Sequence, residues 1–121
     1  MSPMISIIDD DESVREAARG LVRSLGFNVN VFASSEDFLQ SNRIMDTSCL
    51  ITDVQMPGLS GVQLQGLLLA EGHRTPIIFI TASPEERIRT RDQEVTAELT
   101  AASARTMTKP ELIHRAQSRV A

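Results

Sequence analysis

The chain has 121 residues, enough for one domain that buries about two-thirds of the surface exposed by its unfolded form. Its net charge of −4 argues against a nucleic-acid-binding domain built on clustered Lys and Arg, and no run approaches the ~20 apolar residues of a membrane span. The first apolar run stops at Asp9, too early for a signal peptide, and Cys49 is typical of a reduced core thiol. We therefore expect a cytoplasmic domain that does not contact a membrane.

The first two predicted elements are a strand and an amphipathic helix. Met4–Ile8 is a short apolar run with three isoleucines, which predicts a buried strand. Apolar residues then recur over 14–25 at the spacing of one helical face. Ser13 and Glu16 form a predicted capping box at the start of this helix, and Gly26 suits its C-terminal end.

The middle of the chain repeats this alternation. Residues 28–32 and 49–53 predict strands, and 76–81 is the strongest strand pattern in the sequence. A short helix that opens with Ser-x-x-Asp at Ser34 is predicted over 34–42. A longer one begins at a Ser-x-x-Gln capping box at Ser60 and is apolar at Leu64, Leu67 and Leu68. Strand–helix alternation with nearly continuous apolar strands predicts an α/β fold with a parallel sheet covered on both faces.

The last third follows the pattern less closely. A fourth helix is predicted to begin at Ser83, but its apolar stripe is thin and the surrounding residues are polar. Residues 103–108 stand where a fifth strand is expected and contain only one large apolar residue, Met107. A final helix is predicted after Thr108. Both the fourth helix and the fifth strand are atypical.

Acidic residues follow two of the predicted strands. Asp9 and Asp10 come directly after the first strand and Asp53 ends the third. Ligands of parallel α/β sheets bind outside the carboxyl ends of the strands, so neighbouring strands would bring these carboxylates together. Carboxylates this close repel one another unless a cation lies among them, and Mg²⁺ prefers such oxygen ligands. Thr81 ends the fourth strand at the same edge, and Lys109, the only lysine, follows the fifth segment.

Four motifs together resemble the receiver domain of two-component response regulators, the CheY-like superfamily. They are "IIDDDESVR", "LITDVQMPGLSG", "IFITA" and "TKP", and the first two most resemble the FixJ-type subgroup. The resemblance is close from residue 4 to about residue 83 and looser beyond. It implies a single receiver domain over 1–121, divergent over about 84–121. The implied fold is a flavodoxin-like (βα)5 three-layer sandwich with strand order 2-1-3-4-5.

The resemblance also implies a role for each site residue. Asp53 would accept a phosphoryl group from a sensor histidine kinase, forming an acyl phosphate. Thr81 and Lys109 would each contact a phosphoryl oxygen. Mg²⁺ would be the cofactor, bound directly by Asp10 and through water by Asp9, with its remaining protein ligands being Asp53 and the backbone carbonyl of Gln55.

The expected function is that of a phosphorylated signalling switch, not an enzyme beyond phosphoryl self-transfer and slow autodephosphorylation. Phosphorylation would alter a binding surface or promote a receiver homodimer. FixJ-type receivers usually precede a DNA-binding domain, which these residues do not contain, so DNA would be reached only through such an output domain. Regulation of transcription is the expected outcome.

Two departures from the family pattern leave alternatives open. The spacing between Thr81 and Lys109 exceeds the usual one, and Thr106 replaces the aromatic residue that normally precedes the lysine. Residues 91–106 are either a genuine variant or a stretch altered at the gene level. One alternative function is accordingly a phosphorylation-independent pseudo-receiver that serves as an interaction module.

A more remote alternative rests on the first acidic run alone. Asp9-Asp10-Asp11 after an apolar strand also fits the Asp-x-Asp start of haloacid-dehalogenase-like phosphatases, with Asp9 as nucleophile and Asp11 as general acid. That fold needs a later acidic pair for Mg²⁺, which the sequence does not offer.

Overall fold

A computed structural model describes residues 3–81 and 105–108. For Thr81 and residues 105–108 it describes the main chain. The elements in chain order are β1 (Met4–Ile8), α1 (Glu12–Ser24), β2 (Asn28–Phe32), α2 (Ser35–Gln40), β3 (Cys49–Asp53), α3 (Gly61–Ala70), β4 (Ile77–Thr81) and β5 (Arg105–Thr108). The strands form one sheet in the order β2-β1-β3-β4-β5, and every pairing is parallel. The predicted α/β fold and strand order are confirmed.

The fifth strand exists although its sequence is weakly apolar. Arg105–Thr108 pairs with β4 in the register Ile78↔Arg105 to Thr81↔Thr108. Parallel pairing uses main-chain N–H and C=O groups, so it does not require apolar side chains at every position. The predicted fourth and final helices fall on residues outside those that the structure describes.

Two apolar clusters lie on opposite faces of the sheet and define three layers. One cluster joins α1 to the sheet and contains Ile5, Ile7, Val14, Ala18, Val22, Ile51 and Ile80. The other joins α2 and α3 to the opposite face and contains Ile8, Phe38, Leu50, Val54, Met56, Leu64, Leu68, Ile77 and Phe79. Because both faces are covered, successive residues of β1 alternate between two buried environments, which explains its continuous apolar sequence.

The N-terminal caps match the sequence predictions at α2 and α3 but not at α1, whose C-terminal end does lie at Gly26 as predicted. Ser34 and Ser60 accept hydrogen bonds from the amides three residues ahead, as predicted. At α1 the predicted Ser13 box is wrong, because the cap is Asp11: its Oδ1 accepts from the amides of Ser13 at 2.8 Å and Val14 at 3.4 Å. Aspartate caps as well as serine does, and here it precedes Ser13 in the turn leaving β1.

The buried face of α3 also differs from the prediction. Leu67 is 44% exposed, whereas Gln65 is only 4% exposed. The face in contact with the sheet runs through Leu64, Gln65 and Leu68, and Leu67 lies outside it. Cys49 is half-buried rather than fully buried, and its burial raises the pKa of its thiol, so it stays protonated at neutral pH. Within the described ranges, no helix is both long and apolar enough to cross a bilayer.

Two of the four leucines of α3, Leu64 and Leu67, offer a direct test of this packing. Leu64 is fully buried, so we expect Leu64→Ala to lower the free energy of unfolding by about 2–5 kcal/mol. The matched control Leu67→Ala should change it by less than about 1 kcal/mol, since that side chain is partly in solvent. Urea unfolding should be followed by circular dichroism, because the chain has neither Trp nor Tyr. Equal losses in the two variants would contradict the assignment of the buried face.

Candidate functional site

The candidate site lies where β1 and β3 end side by side. The two strands are neighbours, and Ile8 stands opposite Thr52. Each of these two residues is followed in the sequence by an aspartate, so the register places Asp9 beside Asp53. Together with Asp10 these residues form a group whose carboxylate oxygens lie within 4.8 Å of one another. The predicted convergence of the three carboxylates is confirmed.

The three carboxylates differ in their exposure. Asp9 is fully buried and Asp53 is 3% exposed, whereas Asp10 lies on the surface. Two carboxylates of the group are therefore withdrawn from solvent, and the third faces it.

Main-chain amides orient the two buried carboxylates. The amide of Asp11 donates to Asp9 Oδ1 at 2.8 Å, and the amide of Gln55 donates to Asp53 Oδ1 at 3.3 Å. Each of these bonds closes a short turn directly after a strand. Hydrogen bonds from amides favour the ionised form of a carboxylate, so both turns support charge where burial opposes it.

The position of Asp9 is fixed further by contacts that the sequence did not indicate. Arg15 Nη1 donates to the main-chain oxygen of Asp9 at 2.7 Å, and the amide of Asp9 donates to the carbonyl of Phe32 at 3.2 Å. Arg15 therefore ties the first turn of α1 to the end of β1. Nothing in its spacing distinguishes Arg15 from an ordinary exposed helix residue, because its partner is a main-chain atom.

Gly61 is a second residue whose role in the site is visible only in the structure. It begins α3, and its amide donates to the carbonyl of Val54 at 3.1 Å. A Cβ at this position would collide with the main-chain oxygen of Asp53. The start of α3 therefore packs directly against the backbone of Asp53, and only glycine allows this approach.

The donor set fits a hard divalent cation. The three carboxylates supply oxygen atoms only, and one oxygen of each lies within 4.8 Å of the others, close enough for one hydrated ion to bridge. Gln55, the fourth predicted ligand, adjoins the group through its amide contact with Asp53. Thr81 ends β4 at the same edge of the sheet. Lys109 lies outside the described residues, so its predicted contact with the site stays a prediction.

Comparisons with known proteins agree with this geometry. The family model described as "Response regulator receiver domain" matches residues 5–116. Over 78 residues the chain is 45% identical to the response regulator protein TmoT of Ectopseudomonas mendocina, a match covering 64% of this chain and 36% of TmoT. Over 77 residues it is 39% identical to the transcriptional regulatory protein FixJ of Azorhizobium caulinodans, covering 64% of this chain and 36% of FixJ.

Solved structures show the same likeness. The response regulator StyR superposes with a TM-score of 0.75 at 35% identity, over 98% of this chain and 59% of that one. The structure titled FixJ-N superposes with a TM-score of 0.69 at 29% identity, over 98% of this chain and 95% of that one. The chain spans about a third of the length of the curated relatives it matches, 36% in the case of TmoT.

The chain belongs to the response regulator receiver domain family. Its relatives include transcriptional regulators, and the family is a signalling switch that works with sensor kinases and is not a class of conventional enzyme. The alternative of a haloacid-dehalogenase-like phosphatase is wrong. Asp11, its supposed general acid, instead caps α1 with its carboxylate.

A pair of glycines in α3 tests the contact beneath Asp53. Gly61→Ala should lower the free energy of unfolding by about 1–3 kcal/mol, because the new methyl group must displace the main chain of Asp53. Gly66 is exposed in the same helix with no atom near its Cβ position, so Gly66→Ala should raise the free energy by about 0.5–1 kcal/mol. Thermal unfolding by circular dichroism measures both. Stabilisation by Gly61→Ala would show that the contact is absent.

Proposed function

We propose that this domain accepts a phosphoryl group on Asp53 from a sensor histidine kinase, in a reaction that requires Mg²⁺. The observation that carries the proposal is the group of three carboxylates, whose oxygens lie within 4.8 Å at the carboxyl ends of β1 and β3. Membership of the receiver family supports the same reading. Carboxylates held this close without a ligand would repel one another at a cost to stability.

In the proposed reaction, an oxygen of the Asp53 carboxylate attacks the phosphorus of a phosphohistidine. A P–O bond forms, the P–N bond breaks, and the histidine nitrogen retains the electron pair. The Gln55 amide, 3.3 Å from Asp53 Oδ1, supports the proposal because it holds the plane of the attacking carboxylate. Phosphoryl transfer depends mainly on such alignment and on neutralisation of the phosphoryl oxygens.

The remaining site residues are assigned as follows. Asp10 and Asp53 would bind Mg²⁺ directly, Asp9 through water, and Gln55 through its main-chain carbonyl. When bound, the ion would neutralise charge on the phosphoryl oxygens. The hydroxyl of Thr81 would donate to one phosphoryl oxygen and the ammonium of Lys109 would pair with another. A lysine suits this role because its compact charge imposes little geometry on the phosphate.

We further propose that residues 1–121 form one receiver domain that acts in the cytoplasm. The names of the relatives, which include "Transcriptional regulatory protein", support a link to transcription. In that scheme DNA is bound by an output domain outside these residues, and phosphorylation promotes a receiver homodimer that changes the activity of the output domain. Chemical activity of the receiver itself would be limited to phosphoryl self-transfer and slow autodephosphorylation.

Phosphorylation can be tested without knowing the kinase. The protein is incubated with acetyl phosphate and Mg²⁺, and its intact mass is measured. We expect an increase of one HPO₃ unit, because Asp53 displaces acetate from the phosphorus, and no increase for Asp53→Asn. Absence of an adduct while Mg²⁺ still binds would favour the phosphorylation-independent interaction module. An adduct retained by Asp53→Asn would place the acceptor elsewhere.

Two neighbouring aspartates test the metal site. Asp10 belongs to the group of three carboxylates, so we expect Asp10→Asn to weaken Mg²⁺ binding at least about tenfold. About tenfold is the lower end of the loss seen when a residue that only supports a metal ligand is replaced, and a direct ligand should matter at least as much. Asp11→Asn removes the same charge one residue away while keeping a competent helix cap, and should change the Kd by less than about twofold. Isothermal titration calorimetry measures both values. Equal weakening would indicate a diffuse charge effect rather than a defined site.

A further inference from the structure

The loop between β3 and α3, residues 54–60, borders the acidic group and is held firmly at both ends. The amide of Val54 donates to the carbonyl of Ile80 at 3.1 Å, which continues the sheet pairing past Asp53. At the other end, the amide of Gly61 donates to the carbonyl of Val54 at 3.1 Å and Ser60 caps α3. The two ends of the loop are therefore parts of the sheet and the helix.

The main chain in the middle of the loop, residues 56–59, makes few hydrogen bonds. Within residues 3–81, the only hydrogen bond made by its main chain is from the amide of Leu59 to Glu36 Oε2, at 3.2 Å. The side chain of Met56 is buried in the apolar cluster that joins α2 and α3 to the sheet, and that of Leu59 packs against this cluster, whereas Gly58 is exposed. The conformation around Gly58 thus depends on a side chain that comes from a different element of the structure.

Glu36 lies in the first turn of α2, and its carboxylate covers Gly58 as well as Leu59. Gly58 has φ +77°, and a Cβ there would collide with the Glu36 carboxylate. The helix that carries Glu36 is itself well anchored, since Phe38 is 1% exposed and belongs to the same apolar cluster as Met56. Glu36 therefore connects an anchored helix to a part of the loop whose main chain makes no other hydrogen bond within residues 3–81.

The other end of this loop contacts the phosphoacceptor candidate. Gln55, three residues before Gly58, donates its amide to Asp53 Oδ1 at 3.3 Å. The carbonyl of Gln55 is also the proposed main-chain ligand of Mg²⁺. Only Met56 and Pro57 separate Gly58 from Gln55, so the conformation of residues 58 and 59 restricts where the amide and the carbonyl of Gln55 can lie.

We propose that Glu36 is a positioning residue for the Mg²⁺ site, acting as a hydrogen-bond acceptor that holds the 54–60 loop. This inference rests on the proposed function. Its physical basis is that a ligand supplied by the main chain must be held in place before the ion arrives, because any ordering on binding reduces affinity. The bond needs an acceptor oxygen within reach of the Leu59 amide, which either a carboxylate or a carboxamide can supply.

Three variants of the full chain test the proposal by calorimetric titration with Mg²⁺. Glu36→Ala should raise the Kd about fivefold, which corresponds to about 1 kcal/mol, because the loop loses its acceptor. Glu36→Gln retains a carbonyl oxygen at the same reach and should stay within about twofold of the parent. Asp37→Ala is the matched control: Asp37 is the next acidic residue of the same turn, and its described hydrogen bond is made by its main-chain amide.

Amide hydrogen exchange of Leu59 provides a readout of the contact itself. Exchange should quicken in Glu36→Ala but not in Glu36→Gln or Asp37→Ala, while thermal unfolding by circular dichroism confirms that each variant is folded. An unchanged Kd in Glu36→Ala overturns the proposal, and so does an equal loss in Asp37→Ala or Glu36→Gln, since a general charge effect would then suffice. A parent protein that binds no Mg²⁺ contradicts the proposed function itself and removes this inference with it. If the parent binds Mg²⁺ and Glu36→Ala binds it equally well, the role of Glu36 is contradicted but the metal site is not.

Discussion

The structure depends on one constraint: three carboxylates must stay together at one end of a parallel sheet. Asp9, Asp10 and Asp53 have oxygen atoms within 4.8 Å of one another, and two of the three side chains are almost completely buried. Like charges at this distance oppose folding unless amides and a cation compensate for them. The strand order makes the arrangement possible, because β1 and β3 are neighbours although a strand and two helices separate them in the chain.

The elements around the acidic group serve to hold its backbone in position. Arg15 holds the end of β1 through the main-chain oxygen of Asp9, and Gly61 lets α3 pack against the backbone of Asp53. Glu36 reaches the loop after β3 from α2, which lies on the same face of the sheet as α3. All three act on main-chain atoms, so they determine where the functional groups lie without contacting those groups. In a site whose proposed chemistry relies on alignment, such supports matter as much as the ligands.

Much of this molecule could be predicted from local patterns. The strands Met4–Ile8, Asn28–Phe32 and Cys49–Asp53 have the predicted bounds, because short apolar runs between polar turns are characteristic of buried parallel strands. The N-terminal caps of α2 and α3 could be predicted because each is a serine that stands three residues before a polar residue, Asp37 or Gln63. The meeting of the three aspartates followed from their positions at strand ends, once a parallel sheet with adjacent first and third strands was assumed.

The sequence by itself therefore determined the type of fold and the acidic group, since both depend on periodicity and on residues at strand ends. Tertiary structure alone decided that Asp11 caps α1, that Gln65 is buried in place of Leu67, and that Glu36 reaches Leu59, 23 positions away. A local pattern records which residues share a helix face, but the distance between two elements far apart in the chain depends on how all the intervening side chains pack. Contacts to main-chain atoms leave still less trace in the sequence, because any residue can supply the amide or carbonyl partner.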